Sequence, residues 1–177
     1  MPWNNGTRKK KRYLTVLIWI VILTIFDQLS KIAADQFLKF QEPFVLIRNV
    51  FQLEYLENRG AAFGILQNRQ EIFCLITILA LLGLTFLFVR MPASPRYRPM
   101  SICYVLFMAG ALGNFIDRTL QGYVIDFFYF KWINFPIFNV ADIYVSVGTA
   151  ALAVLILFYY KDSDLEELMK KKPVKEK

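Results

Sequence analysis

The stretch IFCLITILALLGLTFLFV, residues 72–89, carries no charged side chain over its whole length. It is long enough to cross a bilayer as a helix, because a helix rises about 1.5 Å per residue and the hydrocarbon core needs roughly 20 residues. Three more apolar blocks lie around it, at residues 13–34, 100–116 and 143–160. The sequence therefore predicts an α-helical membrane protein built as a bundle of four transmembrane helices.

The composition agrees with one membrane-integrated domain over residues 1–177. Hydrophobic residues make up 56% of the chain and the mean hydropathy is +0.40, so four spans and their connections leave no room for a second globular domain. The first span contains Asp27 and Lys31, lacks a small-residue cleavage site, and exceeds the roughly 7–15 apolar residues of a cleaved signal peptide. We expect it to be retained as a helix.

The basic residues predict the orientation of the bundle. Five lysines and arginines occupy residues 8–12 before the first span, three lie between the second and third spans, and six follow the fourth. All of these positions share one side of a four-crossing topology, and basic residues favour the cytoplasmic side. We expect both termini in the cytoplasm, the loops 35–71 and 117–142 outside, and residues 161–177 as a charged, solvated cytoplasmic tail.

Composition also excludes several functions. The net charge of +7 is largely a topology signal, and no basic face interleaved with aromatics predicts a nucleic-acid partner. The chain has no histidine, which excludes Ser–His and Cys–His mechanisms within it and removes the commonest metal ligand. Cys74 and Cys103 fall in different spans and indicate neither a disulfide nor a metal site. We expect no metal and no cofactor.

The loop 35–71 contains a strand pattern. In VFQLEYLEN, residues 50–58, apolar residues alternate with polar ones, which is the period of a half-buried strand and predicts a small sheet on the outer membrane surface. ENRGAAFGIL follows, where Gly60 and Gly64 allow the backbone to approach a ligand or another helix closely. A simple turn into a packed helix explains the same residues, and both interpretations stay open.

Two carboxylates at the membrane boundary call for a chemical explanation, because charge is costly there. Asp126 in GYVIDF and Asp142 in FNVAD are expected at the outer ends of the last two spans, on either side of an aromatic-rich loop suited to the headgroup level. Two carboxylates within hydrogen-bonding reach share one proton, since both cannot ionise cheaply. One can then act as a base on water while its protonated partner donates to a scissile carbonyl.

Other polar residues lie near the membrane. Asp27 and Lys31 in FDQLSK are four apart on one helical face, so they can form a buried ion pair or act in catalysis. Asn139 or Asp142 could cap the fourth helix.

GALGNFIDR, residues 110–118, combines packing and polar residues. Gly110 and Gly113 permit close helix packing, and Asn114 offers a buried amide. Asp117, at the expected helix end, either ties down the following loop or takes part in chemistry. The planar guanidinium of Arg118 could orient a carboxylate or a substrate group.

The motifs FDQLSK, ENRGAAFGIL, GALGNFIDR, GYVIDF and FNVAD, in this order across four spans, resemble the motif series of the bacterial lipoprotein signal peptidases, or type II signal peptidases. The resemblance covers roughly residues 14–160. It implies a membrane aspartic protease with four helices, an extracytoplasmic β-sheet cradle and a catalytic dyad of Asp126 and Asp142. The residues that match the family's supporting set are Asp27, Lys31, Asn58, Gly60, Asn114, Arg118, Asn139 and Ala141.

The resemblance also implies an activity and its partners. Such an enzyme removes the signal peptide from prolipoproteins by cutting before the diacylglyceryl-modified cysteine of the lipobox. The implied partners are these prolipoproteins, membrane lipids and inhibitors of the globomycin kind. The implied location is the bacterial cytoplasmic (inner) membrane, with the active site on the extracytoplasmic side.

Two alternatives from other classes use the same residues. A small transporter could relay protons through Asp27, Lys31, Asp117 and Asp142, although the acids cluster at the outer boundary and no span is broken near the midplane, where transporter sites usually lie. A scaffold protein without enzymatic activity would tolerate asparagine at both dyad positions, whereas a protease would not.

Overall fold

The computed structural model describes residues 5–60 and 70–169. The main elements, in chain order, are α1 (Asn5–Phe37), β1 (Phe44–Ile47), β2 (Phe51–Asn58), α2 (Gln70–Arg90), α3 (Arg98–Gln121), β3 (Val124–Phe130), α4 (Val140–Val154) and α5 (Asp162–Met169). A π turn over Leu155–Tyr159 extends α4. Residues 61–69, including Gly64 and most of the ENRGAAFGIL motif, and the end of the tail lie outside the described residues.

Four segments are long and apolar enough to cross a membrane, which confirms the predicted four-span bundle. They are Gly6–Phe37, Gln70–Arg90, Pro95–Gln121 and Val140–Tyr159. Much of their outer surface is apolar and exposed, as on Leu79 and Leu82 of α2, and this is the surface that lipid tails can cover.

The first and third helices are longer than the sequence predicted. α3 continues past residue 116 to Gln121 and ends only at Gly122, whose φ of 77° places it in the left-handed conformation that commonly ends helices. Asp117 and Arg118 therefore lie in the last turns of α3 and not in the following loop. Their side chains are held by a helix packed against α1, α2 and α4.

The three strands form an antiparallel sheet in the order β1–β2–β3. The predicted strand is β2, and its pairing with β3 sets Leu56 opposite Asp126 and Asn58 opposite Val124. β3 was not predicted, because its aromatic run also suits a membrane-interface belt. Asp126 thus follows the end of α3, as expected, but it lies on a strand and not on the helix itself.

Two buried apolar clusters stabilise opposite ends of the bundle. The cluster beneath the sheet contains Ala34, Ile125, Phe127 and Val140. The cluster at the other end, where α1 begins and α2 meets α3, contains Val16, Ile20, Phe88, Met91, Tyr97, Tyr104, Val105 and Tyr160.

The start of the tail differs from the solvated segment that was expected. Leu165 and Leu168 of α5 pack against the second of these clusters. Arg96 forms an ion pair of 2.9 Å with Asp164, and the Tyr97 hydroxyl lies 2.7 Å from Glu167 Oε2. The apolar residues spaced three apart explain this docking, since they place one apolar stripe on a short charged helix.

Candidate active site

Asp126 is buried on β3 and receives two hydrogen bonds. Asn58 Nδ2 donates to Asp126 Oδ2 at 2.8 Å, and Asn139 Nδ2 donates to Asp126 Oδ1 at 2.6 Å. The strand register brings Asn58 to this position, because the last residue of β2 pairs with Val124, two residues before Asp126. Only 1% of Asp126 is exposed, so these amides replace most of the water that the carboxylate would otherwise bind.

Asp142 lies in the first turn of α4, where it forms a capping box with Asn139. Asn139 Oδ1 accepts from the backbone N–H of Asp142 at 3.0 Å, and Asp142 Oδ2 accepts from the backbone N–H of Asn139 at 3.1 Å. The prediction that Asn139 caps this helix is confirmed. The capping box fixes the second carboxylate directly beside the residue that binds the first.

Asn114 connects the two aspartates to the interior of the bundle. Its Nδ2 donates to Asp142 Oδ1 at 2.9 Å, and its Oδ1 accepts from Asn139 Nδ2 at 3.1 Å. The same Oδ1 accepts from Lys31 Nζ at 2.9 Å. Because Oδ1 faces two donors, the amide nitrogen must point toward Asp142, and Lys31 thereby fixes the orientation of Asn114.

Lys31 is also the centre of a buried charge cluster. Its Nζ lies 2.9 Å from Asp27 Oδ2 and 2.9 Å from Asp117 Oδ2, and all three side chains are nearly inaccessible to solvent. The predicted ion pair between Asp27 and Lys31 is present, with Asp117 as a third member. Asp117 Oδ2 also accepts from the backbone N–H of Ile125 at 3.3 Å, so it holds β3 one residue before Asp126.

Two backbone groups complete the contacts of the supporting residues. Gly60 N donates to Asn58 Oδ1 at 3.0 Å, which orients the amide that binds Asp126. Ala141 N donates to Asp27 Oδ1 at 2.8 Å and ties the start of α4 to α1.

Arg118 is near the dyad but forms no ion pair with it among the described residues. Its guanidinium carbon lies 4.8 Å from the centre of the Phe73 ring on α2, and its charge acts on both Asp126 and Asp142 through space. No described residue hydrogen-bonds to its buried Nε. The group is therefore attracted to the carboxylates and retains donor capacity for another molecule.

Two features of the site, a polar contact of Gln28 and a packing requirement at Gly113, were not predicted from the sequence. Gln28 Nε2 lies within hydrogen-bonding distance of Asp27 Oδ2, Gly113 O and Asp117 Oδ1, at 3.2, 3.1 and 3.0 Å. A Cβ at Gly113 would collide with the Asp27 carboxylate. The role of Gln28 could have been inferred from its position beside Asp27 in FDQLSK. Gly113 was predicted only to permit close packing of helices.

The protonation of Asp126 depends on burial and on a nearby charge. Burial, reinforced by the nearby charge of Asp142, raises the pKa of Asp126 to about 7. Asp142 sits at the N-terminus of α4, whose dipole favours a negative charge. Asp126 can therefore keep a proton near neutral pH.

The arrangement suits acid–base activation of water without a covalent intermediate. Among residues 5–60 and 70–169, no group of three histidine, cysteine, aspartate or glutamate side chains could hold a metal ion. The amide of Asn139 contacts one carboxylate through its side chain and the other through its backbone, which keeps both fixed relative to each other.

A family model described as "Signal peptidase (SPase) II" matches residues 19–158. The chain belongs to the signal peptidase II family. It is therefore a protease, and its four span-capable helices make it a multi-pass membrane protein. Membership of a protease family sets aside the transporter and scaffold alternatives.

Individual relatives agree with this assignment to the signal peptidase II family. A lipoprotein signal peptidase from Clostridioides difficile is 44% identical over 151 residues, covering 85% of this chain and 99% of the relative. One from Streptococcus pneumoniae is 40% identical over 148 residues, covering 84% and 95%. A solved bacterial membrane enzyme structure superposes with a TM-score of 0.74 and 34% identity, covering 91% of this chain and 94% of that one.

Proposed function

We propose that this signal peptidase II is an aspartic endopeptidase that removes the signal peptide from diacylglyceryl-modified prolipoproteins. It cuts the peptide bond before the lipidated cysteine, with Asp126 and Asp142 activating the water. The observation that carries the proposal is the double contact of Asn139, which binds Asp126 through its side chain and Asp142 through its backbone. Relatives named lipoprotein signal peptidase support the substrate class.

The chemistry follows from the shared proton. The ionised Asp142 removes a proton from the water as the water attacks the scissile carbonyl, and the protonated Asp126 donates to the carbonyl oxygen. When the tetrahedral intermediate collapses, Asp142 gives its proton to the leaving amine and Asp126 takes one back from a hydroxyl of the intermediate, so the dyad again holds one proton on Asp126. Asn58, Asn114 and Asn139 donate to the carboxylates throughout, so the site needs little reorganisation during the reaction.

The buried ions around Lys31 serve the dyad indirectly. Lys31 contacts Asn114, and Asn114 contacts Asp142, so the lysine is two hydrogen bonds from the reacting group. We assign Asp27, Lys31 and Asp117 to positioning the site, and Arg118 to binding the substrate near the scissile bond.

The membrane holds the substrate at the depth of the dyad. Asp126 and Asp142 lie at the end of the bundle that carries the sheet, beside aromatic residues suited to the headgroup level. Each CH₂ of an acyl chain buried in the bilayer contributes about 0.8 kcal/mol, so two chains confine the lipidated cysteine to the membrane plane. Depth then places the preceding peptide bond beside the two carboxylates.

The proposal also includes the orientation of the enzyme in the membrane and its location in the cell. The basic residues cluster at the other end of the bundle, where the first span begins, which supports cytoplasmic termini and an extracytoplasmic dyad. The enzyme then lies in the bacterial cytoplasmic (inner) membrane, where its substrates emerge. A cyclic peptide inhibitor of the globomycin kind would place its hydroxyl between Asp126 and Asp142 and compete with the substrate.

The test compares cleavage of one lipobox peptide with and without its diacylglyceryl group, in the same detergent or bilayer. We expect cleavage before the cysteine of the lipidated peptide, much slower cleavage of the other, and inhibition by globomycin. Equal rates for the two peptides would overturn positioning by membrane depth. Cleavage at another bond would overturn the proposed specificity.

A further inference from the structure

A groove lies between α1 and α3 at the end of the bundle away from the aspartates. Its volume is about 990 Å³, at the upper end of the roughly 300–1,000 Å³ typical of ligand pockets. Its lining on α1 extends from Arg8 to Leu23. At about 1.5 Å per residue that is roughly 20 Å, enough for an acyl chain in one leaflet of a hydrocarbon core of about 30 Å.

The two ends of this groove differ in chemistry. The end toward the middle of α1 and α3 is apolar and is formed by Val16, Trp19, Leu23, Ile102, Val105 and Leu106. The mouth is basic and is formed by Arg8, Lys11, Arg12 and Arg98. No aspartate or glutamate is among the described residues that line the groove.

The arginines at the mouth fall into two kinds. Arg12 is part of the fold, since it donates to the carbonyl oxygens of Pro92, Met91 and Phe88 at 2.7, 3.0 and 3.2 Å. Arg8 and Arg98 are exposed, and neither forms an ion pair with an acidic residue in the described part of the chain. These two side chains can therefore bind an anion at the mouth.

We propose that this groove binds an anionic phospholipid of the leaflet next to the chain termini. One acyl chain lies along Trp19, Ile102 and Leu106, and the phosphate lies between Arg8 and Arg98. Basic mouths between transmembrane helices recognise anionic headgroups in this way, and an apolar wall below the mouth takes the chain. The site is separate from the peptidase centre and does not depend on the proposed function.

Charge favours an anionic phospholipid over the other molecules and segments that could occupy the groove. A signal peptide begins with basic residues, which the arginines at the mouth would repel. The acidic residues of α5 do not line the groove, and two of them are engaged elsewhere, Asp164 with Arg96 and Glu167 with Tyr97. A headgroup phosphate can pair with the arginines, and the attached acyl chains can pack against the apolar wall.

Trp19 provides a direct readout, because it lies on the groove wall and is 52% exposed. The experiment uses the full chain with Trp3→Phe and Trp132→Phe, which leaves Trp19 as the only tryptophan. In detergent micelles, phosphatidylglycerol with brominated chains should quench Trp19 at a lower mole fraction than brominated phosphatidylcholine. Arg8→Gln with Arg98→Gln should weaken the phosphatidylglycerol effect by roughly 25-fold, because each basic residue near an anionic surface contributes about a factor of five.

Matched variants separate the groove from general charge attraction. Arg8→Lys with Arg98→Lys keeps the charge and should keep the preference. Arg48→Gln with Lys131→Gln removes two exposed basic residues near the sheet and should leave quenching unchanged. Equal quenching by the two lipids, or an equal loss in the Arg48 and Lys131 variant, would overturn the proposal. Displacement of the brominated lipid by inorganic phosphate alone, or by the lipidated lipobox peptide, would assign the groove to a free anion or to substrate instead.

Discussion

Asn139 and Asp142 cap the start of α4 for each other, with Asn139 Oδ1 accepting from Asp142 N at 3.0 Å and Asp142 Oδ2 accepting from Asn139 N at 3.1 Å. The remaining amide group of Asn139 donates to Asp126 Oδ1 at 2.6 Å. A helix cap thus also sets the relation between the two proposed catalytic carboxylates. Substitutions of Asn139 can therefore separate its effect on stability from its effect on catalysis.

Asn139→Ser retains a good helix cap but loses the amide donors to Asp126 and Asn114. We expect thermal stability near that of the wild type and a fall in cleavage rate of at least about tenfold, as for loss of a preorganised donor. Asn139→Ala should lose the same activity and also about 1 kcal/mol of stability, because alanine cannot cap. Cleavage rates and melting temperatures of both variants provide the check. A fully active Asn139→Ser would show that the amide contact to Asp126 is unnecessary.

Lys31→Met should destabilise the protein strongly. It leaves the buried carboxylates of Asp27 and Asp117 without their cation, and breaking a buried ion pair costs about 3–5 kcal/mol. Lys39→Met is the matched control, since Lys39 pairs with Asp35 and Glu57 at the surface and its loss should leave the melting temperature nearly unchanged. A Lys31→Met protein that is fully stable and fully inactive would instead indicate direct participation in the reaction.

Gly113→Ala should lower both stability and activity. A Cβ there would collide with the Asp27 carboxylate and displace the cluster around Lys31, and overpacking of this kind costs about 1–3 kcal/mol. Gly83→Ala on α2 adds a methyl group that has no atom within 4 Å beyond the nearby backbone of its own helix, so it is the control and should be neutral or slightly stabilising. Equal melting temperatures for the two variants would contradict the contact between Gly113 and Asp27.

The stability of the protein should depend on pH through Asp126. Its pKa is raised by burial and by Asp142 from 3.8 to about 7, so between these values the folded state keeps a proton that the unfolded state releases. Stability attributable to this group therefore falls as pH rises through that window, by on the order of a few kcal/mol. Melting curves from pH 4 to pH 8 should be flatter for Asp126→Asn than for the wild type. If the melting temperatures of both proteins depended on pH to the same extent, the titrating group would not be Asp126.

Sequence predicted the elements that depend on local composition and not those that depend on pairing. The four spans and β2 follow from apolar blocks and alternation, and the ion pair of Asp27 with Lys31 follows from helical spacing. β3 escaped prediction because its aromatic run fits a strand and a membrane interface equally well. The role of Gln28 depends on how closely α1 approaches α3, which no spacing within one helix reveals.

For the same reason, some features of the candidate site could be predicted from the sequence and others could not. The motifs identified the polar residues, and the fold brings Asn58, Asn114, Asn139, Asp126 and Asp142 into one hydrogen-bonded group. The orientation of each amide could not be predicted, since it follows from which donors and acceptors meet in the folded protein. Asp117 is the example: its carboxylate is occupied by Lys31, Gln28 and the backbone of Ile125, which places it in support of β3.

The proposed mechanism requires Asp126 and Asp142 to activate the water together. The most direct measurement is the cleavage rate of a diacylglyceryl-modified lipobox peptide by the wild type, Asp126→Asn and Asp142→Asn, with Asp35→Asn as a more exposed carboxylate control on the same side of the molecule. We predict a loss of at least about 10²–10⁴-fold for each dyad variant, with the proteins still folded, and a rate near that of the wild type for Asp35→Asn. Near-normal cleavage by either dyad variant would contradict the claim, and an inactive but folded Asp117→Asn beside an active Asp126→Asn would move the catalytic role to Asp117.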